Sequence, residues 1–211
     1  MTQRQAYPSL VLRAQGLACG RGGLPLADDL NFAVNAGTCL LLRGPNGTGK
    51  TTLLLTLAGI VAPLAGFFAI EGMDAEAGPL LHYCGHRNAV KPRLSVAENL
   101  SFWAAVNGAT GDSVDNALDR VGLGDLSMLD AGYLSAGQSR RLALARLLVT
   151  QRPIWLLDEP TAALDIEGHQ LVTGLIADHL DAGGIAIAAT HDPITLPDTA
   201  RVETLALGKA A

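Results

Sequence analysis

Apolar and polar positions follow two rhythms along this chain, and the places where the rhythm changes divide it. Leu10 to Arg13 and Leu30 to Val34 are short apolar runs on either side of a Gly-rich turn at Gly20 to Gly23, and the run Cys39 to Leu42 follows. These predict strands. Lys50 to Ala58 then takes up helical spacing, and Phe67 to Ile70 and Leu81 to Cys84 return to strand composition. In SVAENLSFWAAV, residues 95 to 106, Ser95 and Glu98 stand at capping-box spacing ahead of apolar positions at helical intervals, which predicts a helix with a fixed start. Further helices are expected over Ser113 to Val121, and from LSAGQSRRLALAR, residues 134 to 146, to about Thr150.

IWLL, residues 154 to 157, and IAIAA, residues 185 to 189, are apolar without alternation, as strands buried on both faces are. A helix expected from about Asp165 to Asp181 joins them, so the sheet should be parallel. The expected architecture is therefore an α/β core with a β-rich N-terminal part and an inserted helical lobe. As a single domain over 1–211, its core takes about 1–86 and 151–211 and its lobe about 87–150.

Composition narrows the field. Of 211 residues, 49% are hydrophobic and 17% charged, slightly more apolar than usual, as expected if a partner covers some surface. A net charge of −5 argues against a surface built for nucleic acid. No run reaches the ~18 uninterrupted apolar residues needed to span a bilayer, and MTQRQAYPSLVLR has no apolar segment fit for export. A cytosolic chain is expected. Cys19, Cys39 and Cys84 form no CxxC pair and read as small buried hydrophobes rather than ligands.

Chemistry concentrates in two places. GPNGTGKT, residues 44 to 51, matches the phosphate-loop pattern G-x-x-x-x-G-K-[ST] between an expected strand and an expected helix. Gly44, Gly47 and Gly49 let the backbone bend so that successive N–H groups converge on phosphate oxygens, in a cradle that Pro45, Asn46, Thr48 and Thr52 complete. Lys50 brings a point charge to the β and γ phosphates, and the Thr51 hydroxyl is a magnesium ligand. IWLLDEP supplies the second part: Asp158 at the end of a buried strand is placed to hold magnesium, and Glu159 to orient and deprotonate an attacking water. The expected substrate is ATP with Mg2+. In LSAGQ, Ser135, Ala136 and Gly137 open a helix with a hydroxyl and unpaired N–H groups, an arrangement that holds an anion.

With the phosphate loop, LSAGQ and LLDEP in this order, the chain resembles the ATP-binding subunits of ABC transporters from about Leu10 to Leu207. The resemblance implies a P-loop NTPase (RecA-like) core of the ABC ATPase type. It also implies a head-to-tail homodimer with ATP bound, in which Ser135, Gly137 and Gln138 of one subunit close over the γ-phosphate on the other. AALD, residues 162 to 165, looks like the loop that crosses that interface, with Asp165 its acid. THD, residues 190 to 192, puts His191 where an imidazole would contact the γ-phosphate and help position Glu159. His169 and His179 receive no role.

The alanine in LSAGQ, the stretch GHRNAVKPRLSVAENL and an end near Lys209 resemble more narrowly the branch serving the cytochrome c maturation haem exporter. That implies a peripheral subunit on the cytoplasmic face of the bacterial inner membrane, docked on integral membrane subunits and coupling ATP hydrolysis to haem export or delivery. Direct haem binding is not expected, since there is no C-x-x-C-H and no Cys-Pro pair. An importer or lipoprotein-release subunit would keep every site residue, and a soluble ABC ATPase would lack the membrane subunits.

Two positions depart from the family pattern. Arg87 stands where a glutamine is usual, and a guanidinium has no acceptor to offer a metal. Either Arg87 binds phosphate, or His86 or a water takes the metal-facing role, or the loop serves coupling. Cys19, Gly20 and Arg21 replace the usual adenine-stacking aromatic, leaving an Arg21 guanidinium as one candidate platform. The basic residues His86, Arg87, Lys91 and Arg93, and Arg140, Arg141 and Arg146 on the LSAGQ helix, read either as solvated or as facing a membrane partner.

Overall fold

The computed structural model describes residues 7–72 and 79–208; part of the N-terminal stretch weighed for export and Lys209 lie outside them. The chain divides into two compact units. One contains the described residues up to Tyr83, Pro153–Glu159 and the described residues from Thr173 onward; the other contains Cys84–Arg152 and Pro160–Val172.

The first unit holds two sheets. Strands β1 (Val11–Arg21), β2 (Leu24–Asn35) and β4 (Ala65–Glu71) form an antiparallel sheet in the order β2-β1-β4. Strands β3 (Thr38–Arg43), β5 (Leu81–Cys84), β6 (Ile154–Asp158), β7 (Ile185–Ala189) and β8 (Arg201–Ala206) form a second sheet in the order β5-β6-β7-β3-β8. The β3–β7, β3–β8 and β6–β7 pairings are parallel. Every residue of β6 and β7 is buried, as the apolar runs 154–157 and 185–189 require, and Asp158 at the end of β6 is buried with them. Helix α1 (Lys50–Leu57) contributes Leu53, Leu54 and Leu57 to the core, against Leu12 and Leu17 of β1, Leu42 of β3 and Leu156 of β6.

Three differences from the sequence reading have physical causes. β1 and β2 are far longer than the short runs that announce them. Register shifts between Ala14 and Cys19 break the alternation, and Asp29 has φ of 49° while the Asn31 amide donates to its carboxyl and carbonyl. β8 was not anticipated, because RVETLA lies on an exposed sheet edge and half of its six residues are polar, leaving no apolar run. The third concerns His179 on α5 (Ile166–Asp181), a residue without an assigned role. It is 3% exposed, stacks on Trp155 with centroids 3.9 Å apart, and its Nε2 lies 3.2 Å from Ile185 O.

The second unit is helical, with α2 (Val96–Asn107), α3 (Val114–Arg120) and α4 (Ala136–Val149), and α4 packs on the other two. Ser95 and Glu98 form the expected capping box, and Ser113 caps α3. Val96, Leu100, Leu118, Val121 and Leu142 are buried there. All three cysteines are buried and unbridged, and burial pushes the Cys39 thiol up to about 12.

A Cβ at Gly184 would run into the His179 ring. Gly184→Ala should therefore lower unfolding free energy by about 1–3 kcal/mol, measured by urea denaturation. A change within error would mean that the ring pair yields without strain.

Candidate active site

Register decides where the chemistry converges. Leu42 of β3 is level with Ala189 of β7, and Ala189 with Asp158 of β6, so three parallel strands end together. The turns leaving them carry the phosphate loop from Gly44, the acids Asp158 and Glu159, and Thr190 to Asp192. Ligands of open parallel sheets bind beyond such carboxyl ends.

The loop enters α1 through Gly49, whose φ of 96° is a left-handed geometry suited to glycine. At Gly44 a Cβ would strike Leu207 O, so the loop's first residue has to be glycine. Lys50 is 7% exposed, and its Nζ donates to Gly44 O at 2.7 Å and Pro45 O at 3.0 Å. Thr48 Oγ1 also donates to Pro45 O, while Asn46 and Gly47 are exposed. Thr52 is 2% exposed and its carbonyl accepts from Thr56 Oγ1, which leaves its backbone N–H as the group it offers a phosphate.

Thr51 Oγ1 donates to Asp158 Oδ1 at 3.1 Å, so the two expected metal ligands are neighbours. Tyr83 donates to the other carboxylate oxygen at 3.5 Å, a partner that sequence reading missed because one tyrosine at the end of a short strand carries no motif. Glu159 has φ of 48°, a strained conformation for a residue with a side chain, held by its N–H donating to Ala189 O at 2.8 Å. The His191 N–H donates to Glu159 Oε2 at 3.2 Å, and His191 Nε2 lies 3.5 Å from Glu159 Oε1. The acid and the histidine placed together by sequence are thus in contact. Cys19 is wholly buried and cannot present a face to a base, and Arg21 is exposed.

The remaining expected residues belong to the second unit. Ser135 Oγ accepts from Gln138 N–H at 3.2 Å and Gln138 Oε1 accepts from Ser135 N–H at 2.9 Å. This capping box corrects the expectation of wholly unpaired groups, because the Ser135 N–H is satisfied by Gln138 and the Gln138 N–H by Ser135. A Cβ on Gly137 would lie 3.0 Å from Ala163 O, and Ala163 has φ of 63°. The residue must therefore be small for the 162–165 loop to pass. Asp165 Oδ1 accepts from Gly168 N–H at 2.8 Å and from Arg141 at 3.2 Å. The Gly168 N–H, with Arg141 beside it, holds the Asp165 carboxyl below the usual carboxylate range.

Arg140 is neither solvated nor available to a membrane partner. At 2% exposed, it donates to Gly85 O at 2.7 Å, Asn88 Oδ1 at 3.2 Å and Pro160 O at 3.2 Å. The run of arginines concealed it, since three basic residues on one helix read alike until packing separates them. His86, Arg87, Lys91 and Arg93 are exposed, with Lys91 Nζ 4.4 Å from the Phe102 ring centroid.

A profile of the ABC transporter family matches residues 27–162, which contain both the phosphate loop and the acid pair. The chain belongs to the ABC transporter family. The cytochrome c biogenesis ATP-binding export protein CcmA of Rhodopseudomonas palustris (strain BisB5) is 50% identical over 185 residues, covering 87% of this chain and 92% of the relative. The protein of the same name from Ruegeria pomeroyi is 52% identical over 182 residues, covering 86% and 85%. The solved ABC transporter ATP-binding protein of Pyrococcus furiosus superposes with a TM-score of 0.79 at 25% identity, covering 93% of this chain and 97% of that one. Among the described residues no helix is long and apolar enough to cross a membrane.

Arg140→Met keeps aliphatic bulk while leaving three oxygens without their donor, and should cost about 2–4 kcal/mol of unfolding free energy, read by urea denaturation. A loss under about 0.5 kcal/mol would show that water replaces the guanidinium.

Proposed function

We propose that this chain is the ATP-hydrolysing subunit of an ABC transporter complex that couples Mg-ATP hydrolysis to haem export or delivery for c-type cytochrome biogenesis. The observation that carries the reading is the convergence of Lys50, the Thr51–Asp158 pair and the Glu159–His191 pair at the carboxyl ends of three adjacent parallel strands. The pathway rests on relatives of about half identity that are named for export in cytochrome c biogenesis.

In this reading the whole chain is one ATPase domain with residues 87–150 as its helical lobe. The loop N–H groups between residues 44 and 52, Pro45 excepted, hold the triphosphate, and Lys50 exchanges loop carbonyls for phosphate oxygens. Thr51 and Asp158 would hold Mg2+; a hydroxyl and a carboxylate together are hard oxygen donors, and magnesium takes its other ligands from water and phosphate. When bound, the metal neutralises charge developing on the phosphates. Glu159 takes the proton from the attacking water while His191 fixes the carboxylate and contacts the γ-phosphate.

Two subunits pair head to tail when ATP binds. Ser135, Gly137 and Gln138 of each then close the other's site, with Asp165 at the crossing. The subunit sits peripherally on the cytoplasmic face of the inner membrane, against integral membrane partners, and itself contacts neither haem nor nucleic acid.

Glu159→Gln should leave ATP binding intact, slow hydrolysis by a factor of about 10²–10⁴, and shift the chain to a dimer in ATP, seen by sedimentation. Undiminished hydrolysis would remove Glu159 from the base role. Tagged chain drawn from detergent-solubilised membranes should bring cytochrome-maturation membrane subunits with it, identified by mass spectrometry. Recovery of other permease subunits, or of soluble partners alone, would discard the haem pathway and keep the ATPase.

A further inference from the structure

His191 is only as well placed as the turn that carries it. Thr190 Oγ1 accepts from Asp192 N–H and donates to Asp192 O, both at 3.1 Å, so the turn holds its own shape. Those bonds are internal. They fix the turn's curvature but not its position over Glu159, and His191 lies at the exposed end of β7 with its side chain half in solvent.

Arg43 supplies the external anchor. It is the last residue of β3 and directly precedes Gly44, the first residue of the phosphate loop. Its Nη1 donates to Thr190 O at 2.8 Å and lies 3.3 Å from Asp192 O and 3.5 Å from His191 O. Three successive carbonyls thus gather around one charged donor, a stronger attachment than a neutral hydrogen bond gives. The Arg43 backbone is fixed in turn, since its carbonyl accepts from Leu207 N–H at 2.7 Å and it pairs with Ala206 of β8.

We infer that Arg43 is a positioning residue for hydrolysis, tying the Thr190–Asp192 turn to the root of the phosphate loop so that His191 stays against Glu159. The inference rests on the ATPase reading for its kinetic consequence, whereas its geometric part stands apart from that reading. The Arg43 guanidinium meets the backbone of the Thr190–Asp192 turn, so it acts through the residue whose N–H and ring lie against Glu159. Since a single nitrogen makes all three contacts, a lysine ammonium can take them over, which a planar two-pronged contact would not allow.

The test uses the full-length chain carrying Arg43→Met, Arg43→Lys, His191→Ala and the double variant Arg43→Met/His191→Ala. Hydrogen exchange by NMR comes first. In Arg43→Met the His191 amide, bonded to Glu159, should exchange about 10-fold faster while the amides of β7 keep their protection; in Arg43→Lys it should stay protected. Unchanged protection in Arg43→Met overturns the inference whether or not the chain hydrolyses ATP.

Kinetics follow. Arg43→Met should lower kcat by about 10- to 100-fold with ATP affinity unchanged, Arg43→Lys should recover most of the loss, and the double variant should be little slower than His191→Ala alone. A loss carried by ATP affinity, or full additivity with His191→Ala, would make Arg43 a binding or merely structural residue and overturn the assignment. Should Arg43→Met fail to fold, Arg43→Gln takes its place: faster His191 exchange with lowered kcat would support the inference, and wild-type values of both would defeat it. A wild-type chain that shows the exchange behaviour but no hydrolysis would count against the ATPase reading alone.

Discussion

Everything functional in the first unit depends on the register of three buried parallel strands. β6 and β7 are buried throughout and β3 nearly so, and each ends where charge begins: β3 at Arg43, β6 at Asp158 and Glu159, β7 before His191 and Asp192. A slip of one residue would draw a carboxylate or a guanidinium into the sheet interior. Burying an unpaired charge costs more than any single ladder hydrogen bond returns. The apolar runs and the charges that stop them therefore act as rulers, and the level row Leu42, Ala189, Asp158 results. Site geometry in this unit is a consequence of where hydrophobicity ends.

The second unit solves a different problem with different means. Its helices begin at two capping boxes, Ser95 with Glu98 and Ser135 with Gln138, which set the starting points of α2 and α4 without tertiary help. Long-range order is concentrated in Arg140, whose buried guanidinium reaches the 85–88 loop and the segment after Glu159 from the first turns of α4. Arg141, one residue on, is half-buried, reaches Val121 O and pairs with Asp165. Neighbouring arginines thus hold two loops on two sides of one helix.

Much of this was readable beforehand because the informative features are local. The phosphate loop, the Ser95–Glu98 capping box and the apolar runs of β6 and β7 each lie within a few consecutive residues. What escaped reading depends on pairs distant in sequence. Tyr83 reaches Asp158 and Arg43 reaches Thr190 only after the sheet has ordered its strands, and nothing in either residue's surroundings announces the partner. The lengths of β1 and β2 were hidden by bulges that interrupt alternation, and β8 by the polarity that suits an edge. Arg140 was obscured by resemblance to its neighbours. Its burial becomes visible only once the 85–88 loop and Pro160 have folded against α4.

The stacked Trp155 and His179 have a counterpart in the second unit, where the Arg146 guanidinium carbon sits 4.6 Å from the ring centroid of Trp103. The chain has two tryptophans, one in each unit, and each indole lies against a nitrogen base of different character. An imidazole stacked face to face and a charged guanidinium set over the ring perturb indole emission differently. The two units accordingly carry separable optical labels, and the protein's own fluorescence can follow each without any dye or engineered probe.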